Sequence, residues 1–429
     1  MTETARPDVT VVGGGPAGSA AAILLAERGF TVLLLEKAAF PRAKICGEYL
    51  SPECARVLDR LGVLKEVDAA AQPLCGMRIV APDGTVLAGR YPTAGPWRGY
   101  RDHALALPRE VLDGILLERA RSIAVAVRER HRATGLIVEG DRVVGVRAED
   151  PEGRAVEVRS RLVVGADGRA SVVARSLGLV REHRFRRMAF IQDVEGLGDL
   201  GAEGLIHVDP PDYAILNPVG AGTVNLSLVV PLRDALPYRG RMERFFPARL
   251  KQFRHLPGRL AGMRPVGRLM VMGPLAYRVR APRHGGVLLA GDASGFYDPF
   301  TGEGIYTALR SAELLAETAR GALADGDLSR AALAGYDRAR RLAFGGKARL
   351  TRALQLVIGG RRRANLAARA LTRHPALLAT LMGVIGDFVP PAALLRALRS
   401  PADTSGLAPG PVHDNLGDET SPGPRGERE

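Results

Sequence analysis

Residues 9–36 read VTVVGGGPAGSAAAILLAERGFTVLLLE, and this stretch decides the fold. Its opening run, residues 9–13, is short, apolar and β-branched, as in a strand buried on both faces of a parallel sheet. Alanine- and leucine-rich helical sequence follows from about Pro16 to Arg28, and Gly29 supplies a helix stop. A second apolar run from Thr31 to Glu36 completes a strand–helix–strand unit. Gly13, Gly15 and Gly18 stand at GxGxxG spacing inside it. Gly13 permits the tight turn, Gly15 lets a pyrophosphate touch the backbone, and Gly18 lets the helix pack on the strand. The helix N-terminus, with roughly half an elementary charge, favours the phosphates. Glu36 ends the second strand, where a carboxylate accepts both ribose hydroxyls and disfavours a 2′-phosphate.

Two later segments decide which dinucleotide is held. LVVGADGR at 162–169 puts Asp167 and Gly168 at the carboxyl end of a buried strand, and VLLAGDA at 287–293 does the same with Gly291 and Asp292. Strand ends of this kind are ligand positions in open α/β sheets. An NAD fold has no need of them, whereas FAD carries a ribitol and an isoalloxazine beyond its pyrophosphate. Asp292 is placed to accept a bond from a ribitol hydroxyl. Pro299, Gly302 and Gly304 then open the next helix, whose free N–H groups and dipole suit negative charge on a reduced flavin ring.

Working outward, strands near 10, 33, 163 and 289 are interleaved with antiparallel patterns. MRIVAPDGTVLAGRYP alternates around a PDG turn, and YAILNPVGAGTVNLSLVVP reads as two strands joined at VGAG. Residues 104–125 read as helix, and a long helix is expected from about Glu303 to Ala324. The fold class is therefore α/β: a Rossmann-like FAD-binding domain of glutathione-reductase type, interrupted by a mostly antiparallel β-sheet substrate domain, with C-terminal helices. The expected boundaries are 1–72, 104–180 and 270–325 for the discontinuous FAD-binding domain and 73–103 with 181–269 for the substrate domain. A helical region, 326–399, and a disordered tail rich in Pro, Gly, Ser and acid, 400–429, complete the chain.

The 429 residues carry a formal charge of +14, which invites a nucleic-acid reading. Five of the 60 basic residues are lysine and the rest arginine; they are spread along the chain, and aromatic content is only 5%. No stacking platform or basic cluster of the nucleic-acid kind results, so no nucleic-acid partner is expected. Three cysteines with no paired spacing give neither a disulfide framework nor a metal site. The start, MTETARPDVT, lacks a signal-peptide pattern, and a cytoplasmic location is expected. The apolar run from Pro375 to Gly386 is well short of the roughly 20 residues that span a bilayer. Residues 328–399 mix apolar stripes with arginine and are read as a cap on the body; the alternative is a peripheral contact with the inner membrane face.

VVGGGPAGSAAAILLAERG, Glu36, LPREVLD, GADG and GDASGFYDPFTGEGI together resemble the FAD-dependent superfamily of aromatic hydroxylases (class A flavin monooxygenases) and geranylgeranyl reductases, over about residues 8–325. The resemblance implies FAD as cofactor, Arg109 near its phosphates, and Asp167 and Asp292 serving it. The cofactor-contacting set it suggests also includes Ala17, Lys37, Lys44, Cys46, Gly47 and Ile305. FPRAKICGEYLSP, residues 40–52, is similar to the Lys-x-Cys-Gly segment of the geranylgeranyl-reductase branch, where the cysteine lies near the flavin. The chain departs from that branch at Glu48, which replaces the second glycine after the cysteine, and at residues 214–217, where an aromatic-rich form is replaced. Tyr213 and Asn217 are candidates for the substrate side. Two readings of Cys46 stand together, a proton donor beside the flavin and a small buried side chain. Glu48 and Glu303 are either acids near the ring or solvated loop residues.

The function expected is reduction of a carbon–carbon double bond in an apolar small molecule (isoprenoid, polyketide or aromatic), with NAD(P)H or a reduced electron-carrier protein as donor. The alternatives are an NAD(P)H- and O2-dependent flavin monooxygenase and a non-enzymatic flavin-binding protein. Trp97 is the single tryptophan, so the Trp-x-Trp motif of flavin halogenases is absent.

Overall fold

A computed structural model describes residues 6–93, 96–183 and 185–399; the expected tail at 400–429 lies outside them. Five parallel strands form one sheet in the order Val287–Leu289, Leu162–Gly165, Val9–Val12, Val32–Leu35, Ala126–Arg128. Alternate side chains leave opposite faces, as the pleat requires. Val9, Val11, Leu34, Val164 and Leu288 pack against the helices Pro16–Ala26, Arg109–Ser122 and Gly304–Asp325. Val12, Leu35, Val163 and Leu289 pack instead on a three-stranded antiparallel sheet built from Arg132–Glu139, Arg142–Glu149 and Ala155–Arg159.

Chain order places Val9–Val12 at the centre, with later strands added to either side of it. The direction of winding reverses between Val9–Val12 and Leu162–Gly165, and ligands bind at such a reversal, outside the carboxyl ends of the strands. The sequence reading gave 104–125 to helix and no element to Ala126–Arg128; the structure makes Ala104–Ala106 a strand and Ala126–Arg128 the fifth strand of this sheet. Pro108 separates a strand at Ala104–Ala106 from the helix Arg109–Ser122, and Ala124, at φ +66°, turns the chain into the last strand.

A seven-stranded sheet holds Arg264–Met272, Arg187–Glu195, Thr223–Pro231, Asp212–Gly220, Glu203–Asp209, Gly76–Val80 and Val86–Arg90 in that order. Its pairings are antiparallel except that Glu203–Asp209 runs parallel to Gly76–Val80. One face, with Ile206, Tyr213, Ile215 and Val229, packs against Ile358, Leu381, Met382 and Ile385 of the C-terminal helices. The other, with Leu205, Leu216, Leu226 and Leu228, packs against Phe245 and Phe246 of the helix Met242–Leu250. A helix of 29 residues, Arg330–Ile358, runs from one lobe to the other. Tyr336 near its start donates to Leu289 O of the parallel sheet at 2.7 Å, while Ile358 at its end lies in the core of the antiparallel one.

Candidate functional site

The carboxyl ends of the two central strands meet at a cradle of backbone. Gly13 has φ +102°, and a β-carbon there would stand 2.5 Å from Ala166 O. A β-carbon at Gly18 would overlap the Gly13 carbonyl oxygen, so the helix can cross its own turn only with glycine there. The helix Pro16–Ala26 starts at Gly15 with no side-chain cap, which leaves its first N–H groups free for a ligand. Gly15 faces open space bounded only by the guanidiniums of Arg109 and Arg42, each 3.7 Å from where a β-carbon would sit. Ala17 is buried and meets Gly291, whose φ of +56° carries the loop after Val287–Leu289 across the same helix.

Around this cradle acid and base alternate. Glu36 is buried; its Oε2 accepts from Gly14 N at 2.8 Å and its Oε1 from Ala38 N at 3.0 Å. Arg42 lies 3.5 Å from Glu36 Oε2 and 3.3 Å from Asp113 Oδ2. Asp113, 0% exposed, takes both Nε (2.9 Å) and Nη2 (2.8 Å) of Arg109 in a two-point bond. Arg109 is thus a buried, oriented cation and not a surface residue at a helix start. Sequence reading missed Arg42 and Asp113. The i,i+4 spacing of Arg109 and Asp113 in LPREVLD was the available signal, while nothing local in FPRAK marks Arg42.

The segments from the other strand ends close on the same place. Asp167 spends Oδ2 on Val172 N at 2.6 Å, capping the next turn, and its Oδ1 is buried without a partner among the described residues. Asp292 forms no side-chain hydrogen bond among the described residues; burial pushes its carboxyl up, and Lys44, Arg109 and Arg169 pull it back. Lys44 is exposed as a residue, but crowding of its ammonium by protein atoms and the guanidiniums of Arg109 and Arg42 hold it below its usual range, while Asp292 works the other way. Lys44 Nζ comes within 3.7 Å of the β-carbon position at Gly168, which joins Lys44 to the Asp167–Gly168 turn. Lys37 is exposed just beyond Glu36.

Pro299–Thr301 forms a single 3-10 turn, Gly302 has φ +65° against the ring of Tyr49, and Gly304 opens the helix Gly304–Asp325 with open space at its β-position. That helix also lacks a side-chain cap, and Ile305 packs its first turn into the core. Two uncapped helix N-termini, a glycine cradle, three cations and two carboxylates with free acceptors fit a long ligand that is anionic at its middle and polar along its length. That is the form of FAD.

The loop Lys44–Glu48 lies between this cradle and the antiparallel sheet. Asn217 Nδ2 donates to Gly47 O at 2.7 Å, which ties the loop to the sheet. Asn217, Asn225 and Asp193 stand opposite one another on three adjacent strands, a polar row beyond the apolar face. Cys46 Sγ accepts from Glu48 N at 3.3 Å; burial pushes its thiol up, against the pull of Arg109. Glu48 is 7% exposed, and its carboxyl is pushed up to about 7 by burial, with Asp193 adding to the shift.

Tyr213 is a core residue whose hydroxyl donates to Asp298 Oδ1 at 2.7 Å, so it supports the loop before Pro299 from behind. Glu303 accepts from Thr351 Oγ1 at 3.5 Å and lies 3.9 Å from Lys347. A separate recess of about 540 Å³, lined by Leu197, His255 and Arg259 beside the opposite face of the seven-stranded sheet, contains none of these residues.

A family model described as "FAD binding domain" matches residues 6–348. The chain is 31% identical to the digeranylgeranylglycerophospholipid reductase of Methanosphaerula palustris over 357 residues, 80% of this chain and 83% of the relative. Among solved structures, the myxobacterial chondrochloren halogenase CndH, an FAD-dependent halogenase, superposes with a TM-score of 0.75 at 25% identity, covering 87% of this chain and 90% of its own. A geranylgeranyl bacteriochlorophyll reductase-like protein of Thermoplasma acidophilum superposes with a TM-score of 0.69 at 23% identity, covering 92% and 96%.

Proposed function

This chain belongs to the FAD-binding domain family, and from that premise we propose that the enzyme reduces carbon–carbon double bonds of a prenyl-type apolar substrate. The observation that carries the proposal is the Lys44–Glu48 loop, pinned by Asn217 between the cofactor cradle and the antiparallel sheet. In that position the loop can meet the reactive end of the cofactor on one side and a substrate on the other. The likeness to a digeranylgeranylglycerophospholipid reductase supports the substrate class.

In this reading Gly13, Gly15, Ala17 and Gly18 bear the pyrophosphate, with Arg109 and Arg42 beside it. Glu36 and Lys37 bound the nucleoside end. Asp167, Gly168, Gly291, Asp292 and Lys44 serve the ribitol, and Pro299, Gly302, Gly304 and Ile305 present a helix N-terminus to the ring. Bound FAD, once reduced, supplies a hydride. The protein then has to hold the alkene, exclude water with its apolar sheet face, and hold a proton for the second carbon. NAD(P)H reaching across the cofactor face, or a reduced electron-carrier protein, restores the electrons.

Contact with a membrane surface belongs to the same proposal. Leu342, Leu356, Leu366, Leu395 and Leu398 are exposed, and Leu366 shares its helix, Arg361–Arg373, with Arg362, Arg363 and Arg373. Arginine beside exposed leucine suits an anionic lipid interface. No described helix is long and apolar enough to cross a membrane.

The test is product analysis. Protein loaded with FAD and reduced with dithionite is given geranylgeraniol under nitrogen. A gain of two hydrogens per double bond is expected; oxygen incorporation under air, with no reduction under nitrogen, sinks the reductase reading.

A further inference from the structure

We propose that Glu48, and not Cys46, delivers the proton to the substrate carbon when the double bond is reduced; this rests on the reductase reading above. The position itself is unusual. Glu48 sits at φ +56°, in the left-handed region that glycine enters freely and a glutamate enters at a cost. Glycine would adopt this φ without strain, so the carboxyl is the feature of this position that calls for a reason.

The side chain is held in place. Glu48 Oε1 accepts from Arg109 N at 3.2 Å, and Glu48 O accepts from Leu107 N at 3.0 Å. Oε2 is buried and has no hydrogen-bond partner among the described residues. A carboxylate so placed would have one unsolvated oxygen, whereas a carboxylic acid carries its proton there with one transfer left to make.

The surrounding charges favour the acid form. Asp193, on the strand Arg187–Glu195, and Glu110, on the helix Arg109–Ser122, both disfavour a second negative charge. Arg109 opposes them, but its guanidinium is already engaged two-fold by Asp113. An acid balanced close to neutral pH is at the Brønsted optimum for a proton donor. The neighbouring Cys46 thiol, pushed up from an already high value, releases its proton far less readily.

The step balances as follows. One alkene carbon gains a C–H bond with the hydride electrons, and the cofactor is oxidised by two electrons. The alkene π pair forms the second C–H bond to the Glu48 proton as the O–H bond breaks. The carboxylate left behind regains a proton from water.

The experiment compares the full-length protein with Glu48→Gln, Glu48→Asp and Cys46→Ala, each loaded with FAD and reduced by dithionite under nitrogen with geranylgeraniol. Glu48→Gln is expected to keep FAD affinity and the flavin spectrum while alkene reduction falls at least about 100-fold, within the range for loss of general acid catalysis. Glu48→Asp restores part of that rate with a displaced pH profile. Cys46→Ala changes the rate through the cofactor-side loop it belongs to, but its pH profile still turns at an apparent pKa near 7, because Glu48 is intact. An infrared titration of FAD-free protein is the readout besides activity: a carboxylic-acid carbonyl band that disappears near pH 7 is expected, and it is missing from Glu48→Gln. Glu48→Gln reducing the alkene within threefold of wild type with the same pH profile overturns the assignment and leaves the reductase reading standing. No reduction by the wild-type protein overturns both.

Discussion

Arg42 stands between Glu36 and Asp113, and Asp113 between Arg42 and Arg109, so the glycine cradle rests on a chain of four alternating charges of which Arg42 alone is half-buried and the other three are buried. Such a chain is stable only while each member keeps its partner. Asp113→Asn removes the charge that two guanidiniums share, while Arg109 stays almost fully buried. A loss of about 3 kcal/mol is expected, read as a lower urea midpoint at unchanged slope, together with at least about tenfold weaker FAD binding. Glu48 gives a second residue-scale prediction, on stability against pH. Its acid form is favoured in the native state, about 7 against 4.5 unfolded, so the native protein retains a proton that the unfolded chain releases. Its contribution is fully present below pH 4.5 and is lost as pH rises through about 7. The full loss is about 3 kcal/mol, for the rise from 4.5 to about 7 at roughly 1.36 kcal/mol per pKa unit. Other buried acids tilt the same curve, so the measurement is the difference between wild type and Glu48→Gln. That difference should change across this window and stay flat above pH 8, and a constant difference from pH 4 to 9 would remove Glu48 as a neutral-range acid.

At the scale of elements, the first strand–helix–strand unit was legible because its constraints are local. An apolar run of four, a glycine spacing and a helix stop are all contained in residues 9–36. Gly18→Ala tests the tightest of these constraints. Its β-carbon would overlap Gly13 O, which is backbone and cannot move without dragging the strand end along. The expected product is a chain that purifies without bound flavin and unfolds at lower urea. Gly14→Ala is the control, since its β-carbon would meet only side-chain atoms at 3.4 Å and should cost little. The strand Ala126–Arg128 was not legible, for an equally physical reason. It is three residues long, and the apolar run leading into it continues the pattern of the preceding helix. Only its pairing with Val32–Leu35 makes it a strand. The site divides the same way. Its glycines and strand-end aspartates are marked by spacing, but Arg42, Asp193 and the buried state of Glu48 follow from the packing of segments far apart in the chain.

At the scale of the whole molecule, one carboxylate joins three layers. Asp298 Oδ1 accepts from Tyr213 OH at 2.7 Å, from Gln355 Nε2 at 2.6 Å and from Phe300 N at 3.0 Å. Tyr213 belongs to the antiparallel sheet, Gln355 to the helix that spans both lobes, and Phe300 to the turn that leads into the helix Gly304–Asp325. Arg187 adds a cation over the Tyr213 ring at 5.4 Å and opposes the burial that pushes the Asp298 carboxyl up. The sheet that would receive substrate and the turn that would receive the flavin ring are therefore registered against each other through a single buried acceptor. Tyr213→Phe and Gln355→Leu each take one donor from it, at about 1–2 kcal/mol apiece. Because both donors serve one oxygen, their losses should not add, and a double-mutant cycle in urea should return a coupling of at least about 0.5 kcal/mol. Additivity within error would mean that the layers are held by apolar packing alone. A measured coupling would make Asp298 the point at which a shift of the long helix reaches the ring-binding turn, so the same two variants should also release FAD faster than wild type.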